Sequence, residues 1–104
     1  MGRRTDVEIA LRALAPAIPD HEFGVVADRA MDSPGLVTAA PENAAWLALV
    51  AYVRHVFTDY DDLLDEGYDQ DSARHFVLDD MTDVLGAWGV RRPIVADEVD
   101  PDET

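Results

Sequence analysis

The chain has no cysteine and no lysine, and its only serines are Ser33 and Ser72. Without cysteine there is no disulfide framework, no thiolate zinc site and no thiol nucleophile, a composition compatible with a reducing compartment. Without lysine there is no Schiff-base chemistry. Ser33 falls in a Ser-Pro-Gly turn, and Ser72 stands where a helix should start. A pairing of Ser72 with His75 lacks the third group that would orient a base. No glycine-rich phosphate loop and no H-E-x-x-H spelling occurs. No apolar run approaches the roughly 18 residues a membrane span needs, and no basic-then-apolar leader opens the chain, so a soluble cytoplasmic protein is expected.

Positive charge is the next scarcity. Twenty-two acids face eight bases, all arginine, for a formal net charge of −14. That balance opposes direct binding to nucleic acid, which draws much of its affinity from neutralised phosphates, and equally opposes anionic lipid. Two explanations remain. The acids are a solvated surface suited to solubility, in a salt-rich cytoplasm or from a high-GC genome, or they mimic nucleic acid toward a basic partner.

What is present is helical periodicity. At 104 residues the chain is long enough for one domain with one core and no metal or disulfide staple. Trp46, Leu49, Val50, Val53, Phe57, Tyr60 and Leu64 recur at intervals of three and four, one stripe of a helix. Pro41 and Glu42 suit its start and Gly67 its end, which gives one long helix over 41–66. A Thr5–Glu8 capping box predicts a first helix over 6–15 burying Val7, Ala10, Leu11 and Leu14, with Met1 to Arg4 frayed. Asp20 starts a helix over 20–32 with Phe23, Val26, Ala27, Ala30 and Met31 inward. Asp69 or Asp71 caps a helix over 70–88 whose stripe is Ala73, Phe76, Val77, Met81, Val84, Leu85 and Trp88, closed by Gly89. No strand-like alternation appears. The expected architecture is therefore all-α: a single four-helix domain over 1–92, built on a long antiparallel helical hairpin, followed by a disordered acidic tail over 93–104.

Counting outward from Gly67 sets a hairpin register. It puts Trp46 and Trp88 at one end, Arg54 opposite Asp80, and Arg74 opposite Asp61. Charges on the flanks of apolar stripes need partners, so two ion pairs are expected, Arg54 with Asp80 and Arg74 with Asp61. Thr58 lies one turn from Arg54, and Tyr60 can keep its ring in the core with its hydroxyl at the polar seam. Arg54, His55, Thr58, Tyr60, Asp61, Arg74 and Asp80 are thus the candidate residues, either as struts fixing the register or as a pocket for a small anion or a carboxylate. No catalytic residue is assigned. His55 with Asp59 and Asp62 is a weak metal spelling, and Arg74, His75 and Asp79 repeat it; among sixteen aspartates such spacing arises by chance, so no metal and no cofactor is implied. The acid-rich run from Asp59 to Asp71 is no EF-hand, because Leu64 and Gln70 occupy the positions that need glycine and glutamate.

The spelling A-Y-V-R-H-V-F-T-D-Y-D-D-L-L over 51–64, then D-S-A-R-H-F-V-L-D-D and a closing A-W-G, resembles the domain-of-unknown-function family 2293 of bacterial and fungal proteins. The marking residues are R-H-x-x-T-x-Y-D, here Arg54, His55, Thr58, Tyr60 and Asp61, with Ala73 and Arg74, over Ala44 to Gly89. The resemblance implies no activity, substrate or cofactor. The expected function is a non-enzymatic helical module that binds another protein or itself as a homodimer. The alternatives are a ligand-binding protein or enzyme using the Arg54, Tyr60, Asp61 and Arg74 seam, and an acidic nucleic-acid mimic.

Overall fold

The computed structural model describes residues 2–95. It is all-α, with helices α1 (Arg3–Leu14), α2 (Asp20–Asp32), α3 (Pro41–Phe57), α4 (Tyr60–Asp65) and α5 (Gln70–Ala87). Among the described residues there is no strand, and no helix is long and apolar enough to cross a membrane. The acidic tail expected over 93–104 lies, from residue 96 on, outside the described residues, as does Met1.

α3 is the central element. Ten of its residues are buried, including Trp46, Leu49, Val50, Val53 and Arg54, because α1 and α2 cover it on one side and α5 on another. Ala44, Ala45, Ala48 and Ala51 are buried with them, and their small side chains let the neighbouring helices close in. Val7 and Leu11 of α1, Val26, Ala27 and Ala30 of α2, and Ala73, Val77, Met81 and Leu85 of α5 complete the core.

The long helix expected over 41–66 is interrupted. α3 ends at Phe57, and Thr58 takes an extended backbone (φ −133°, ψ 171°) before α4 begins at Tyr60. The cause is the threonine hydroxyl. It donates to the Arg54 carbonyl and accepts from the Tyr60 amide at 3.2 Å, offering the backbone partners outside the helical ladder. The expected four helices become five, and the hairpin arm opposite α5 has a bend in it.

Beyond the bend, Trp88 meets Phe57 edge-on, with ring centroids 5.4 Å apart, a contact the count from Gly67 does not give, and the Trp46 ring lies under the Arg92 guanidinium at 4.3 Å. Phe57 and Phe76, both expected on buried stripes, are exposed.

The caps follow the sequence more closely. Gly67 (φ +102°) and Gly89 (φ +85°) both end helices in the left-handed conformation. At each the next amide reaches back five residues, Tyr68 to the Leu63 carbonyl at 3.1 Å and Val90 to the Leu85 carbonyl at 2.9 Å. Asp69 caps α5 by accepting from the Ser72 amide at 2.8 Å. That bond stabilises the carboxylate and lowers its pKa from the ordinary 3.8. α1 departs from expectation, starting at Arg3 with Gly2 as its cap, so the Thr5–Glu8 box is not the boundary. Arg3 draws the first turn in, donating to the carbonyls of Ala39 at 2.8 Å and Leu36 at 2.7 Å.

Candidate functional site

The R-H-x-x-T-x-Y-D residues gather at the elbow between α3 and α4. Arg54 closes the last turn of α3 and is 1% exposed, while Arg74, from the first turns of α5, is 7% exposed. The Arg54 guanidinium carbon lies 5.6 Å from the centre of the fully buried Tyr60 ring. The His55 ring meets the same ring edge-on at 5.2 Å. Nδ1 of His55 donates to Oδ1 of Asp61 at 2.7 Å, which ties α3 to the first turn of α4 across the Thr58 break. An ionised carboxylate only accepts, so this bond places a proton on Nδ1. Each motif position thus has a part in the elbow: Thr58 breaks the helix, Tyr60 fills the corner, and His55 with Asp61 clamps it.

Asp61, expected opposite Arg74, bonds His55; Asp80, expected opposite Arg54, is exposed, while Arg54 and Arg74 are both buried. His55, of the weak metal spelling with Asp59 and Asp62, bonds Asp61. Among the described residues no group of three or more His, Asp or Glu side chains gathers as a metal site. Ser72 and His75 line one depression, yet the Ser72 amide serves the Asp69 cap and the third side group there is Asp71, on the Ser72 side of His75.

A second feature, unforeseen in the sequence, lies at the turn between α4 and α5 and on α5 itself. Phe76 is 64% exposed and Tyr68 45% exposed, and their rings pack edge-to-face at 5.4 Å. Phe76 borders a depression of about 380 Å³ lined by Asp71, Ser72, His75 and Phe76. The segment from Asp59 to Asp83 that carries this pair holds ten exposed acids, Asp59, Asp61, Asp62, Asp65, Glu66, Asp69, Asp71, Asp79, Asp80 and Asp83. The one arginine between residues 55 and 90 is the buried Arg74, so no arginine of α4 or α5 stands on the surface among them. A signal for Phe76 was available. Three, four and seven residues beyond it stand Asp79, Asp80 and Asp83, which places it on the polar face of α5 and not among Ala73, Val77, Met81 and Leu85.

No curated protein and no solved structure matches the chain. A family profile does match it over residues 10–89, from within α1 to the glycine that ends α5, well beyond the segment spelling the elbow motif. The elbow and the helices packed on it therefore fall within one family unit, and the chain belongs to the family described as "Uncharacterized conserved protein (DUF2293)".

Proposed function

We propose that the protein is a non-enzymatic interaction module of the cytoplasm, and that it docks another protein on the face where Tyr68 and Phe76 stand out among carboxylates. The observation carrying this reading is the exposed aromatic pair. Paired aromatics bury large areas at small entropic cost, and they serve as anchors at the centres of protein interfaces more often than as solvated surface. The elbow is the support for this face. Buried Arg54, with Tyr60 and the His55–Asp61 clamp, holds the turn from α3 into α4, and α5 packs on both helices.

Self-association is the weaker form of the reading, because a two-fold dimer on this face sets the same acid rim against itself. The nucleic-acid-mimic reading shares a basic partner but gives the aromatic pair no part. A seam-based ligand site would need Arg54 and Arg74 to turn their guanidinium groups toward solvent, and both are buried.

Site-specific photo-crosslinking tests the proposal. A photoreactive phenylalanine analogue at position 76, with the exposed Ile9 of α1 as control site, is expected to give a discrete adduct with another protein only from position 76. Equal adducts from both sites, or adducts of two copies of this chain alone, would refute the docking reading as stated. Light scattering at rising concentration is expected to show a monomer.

A further inference from the structure

We infer that the α5 face receives a basic amphipathic helix from the partner, with an apolar side chain seated on Tyr68 and Phe76 and arginines or lysines over Asp79, Asp80 and Asp83. This inference rests on the docking reading above and names the chemistry of what docks. Its first support is register. Asp79, Asp80 and Asp83 follow Phe76 at helical spacing, so the apolar anchor and the carboxylates form one stripe running about two turns along α5. A partner helix with the same spacing of one apolar residue and several bases matches it side chain for side chain, the groove-binding mode of amphipathic helices.

The second support is that the stripe opposes its own helix. The carboxyl end of a helix carries the negative pole of its dipole, and α5 has no basic residue in its last turn. Asp79, Asp80 and Asp83 stand in its second half with no arginine of α4 or α5 on the surface to offset them. Cations from outside would relieve both the dipole and the mutual repulsion. The third support lies one turn further on. Gly86 is exposed, and a Cβ added there would meet nothing within 4 Å, so no neighbour among the described residues calls for a glycine inside this helix. A backbone approaching closely from outside does.

The charge excludes the other occupants of such a face. A second copy, a nucleic acid or an anionic lipid surface all bring negative charge to it. The remaining occupant is a basic segment with an apolar anchor.

The test uses the full chain and short synthetic helical peptides. One carries a leucine anchor followed by arginines at the third, fourth and seventh positions, one has the same composition scrambled, and one has glutamates in place of the arginines. Binding is followed by fluorescence anisotropy. The patterned arginine peptide is expected to bind about tenfold more tightly than the scrambled one, and to lose about tenfold on Phe76→Ala. The Asp79→Asn, Asp80→Asn, Asp83→Asn triple variant is expected to lose about tenfold or more, while a control triple on the other helices, Asp20→Asn, Asp32→Asn, Glu42→Gln, loses less than about twofold. Gly86→Ala is expected to raise helix stability and still weaken binding. Equal binding of patterned and scrambled peptides, or equal losses from the two triple variants, would mean unspecific attraction of a polycation and would overturn the inference. Tighter binding of the glutamate peptide, sensitive to Phe76→Ala, overturns the partner class and leaves the docking face standing. Binding of no peptide also overturns it, and the photo-crosslink then decides separately whether the face docks anything.

Discussion

The two halves of the molecule use charge in opposite ways. Residues 2–54 hold seven acids and five arginines, whereas residues 55–95 hold ten acids and three arginines, of which Arg91 and Arg92 follow the end of α5. In the first half the arginines work inside the fold. Arg3 bonds two carbonyls of the α2–α3 connection, Arg4 pairs with Asp28 at 2.6 Å, and Arg12 and Arg29 lie over the rings of Phe23 at 4.1 Å and Tyr52 at 5.4 Å. Each contact joins one helix or connector to another. In the second half Arg74 is buried, Arg92 lies over the Trp46 ring, and the acids are exposed alongside two exposed aromatic rings. The first half is charged in order to hold itself together. The second carries an excess of exposed carboxylates that its few bases do not balance, which is what a surface meant for a partner of opposite sign looks like.

The contrast is sharpest at the apolar residues. Leu49→Ala in α3 removes a fully buried side chain and is expected to cost about 3 kcal/mol by denaturant titration, whereas Phe76→Ala should change stability by no more than about 0.5 kcal/mol. A large loss on Phe76→Ala would mean the ring belongs to the core and would dissolve the comparison. Arg74→Ala is expected to cost about 2–3 kcal/mol, because it removes a buried guanidinium from the first turns of α5. Unchanged stability there would take Arg74 out of the framework and return the seam to consideration as a ligand site.

Smaller effects test the joints of the second half. Gly67→Ala forces a side chain into the left-handed region at φ +102° and is expected to cost about 1–2 kcal/mol. Asp69→Ala removes the α5 cap and should lower the Tm by several degrees. The folded pKa of Asp69 is lowered, so its contribution is complete above the ordinary carboxylate value of 3.8 and is lost as pH falls through the depressed folded value. Asp69→Asn, still able to cap, should therefore flatten this acid-limb dependence at little cost at neutral pH, as thermal melts across pH would show. Smallest of all, neutralising Asp79, Asp80 and Asp83 together should raise the Tm by a few degrees, an effect that added salt reproduces in the native protein. The matching change on α2 should not raise it, since Asp20 sits at the favourable amino end of its helix.

Much of the fold was legible because it depends on local signals. Helix class, the left-handed glycines at 67 and 89 and the Asp69 cap all follow from a few neighbouring residues. The elbow was not legible as an elbow. Thr58 sits in an unbroken apolar rhythm from Trp46 to Leu64, and a hydroxyl that bonds the backbone on both sides is a stronger local signal than that rhythm only once its geometry is known. Its consequence is not local, since the bend redirects the chain after α3: Trp88 lies against Phe57, and Asp61 bonds His55. The motif residues are nonetheless recognisable as a set, and five of them, Arg54, His55, Thr58, Tyr60 and Asp61, meet at one corner. Phe76 is ambiguous for a simpler reason. It follows the buried Ala73 by three residues and so borders the apolar stripe, while Asp79, Asp80 and Asp83 follow it at helical spacing and draw it to the polar face.

The most direct test of the difference between the halves is amide chemical-shift mapping of the full chain as the patterned arginine peptide is added. Shifts concentrated from Tyr68 to Ala87, and removed by Phe76→Ala, are the predicted result. Shifts spread in proportion to acid content over α1 and α2 as well, or unaltered by Phe76→Ala, would contradict the account.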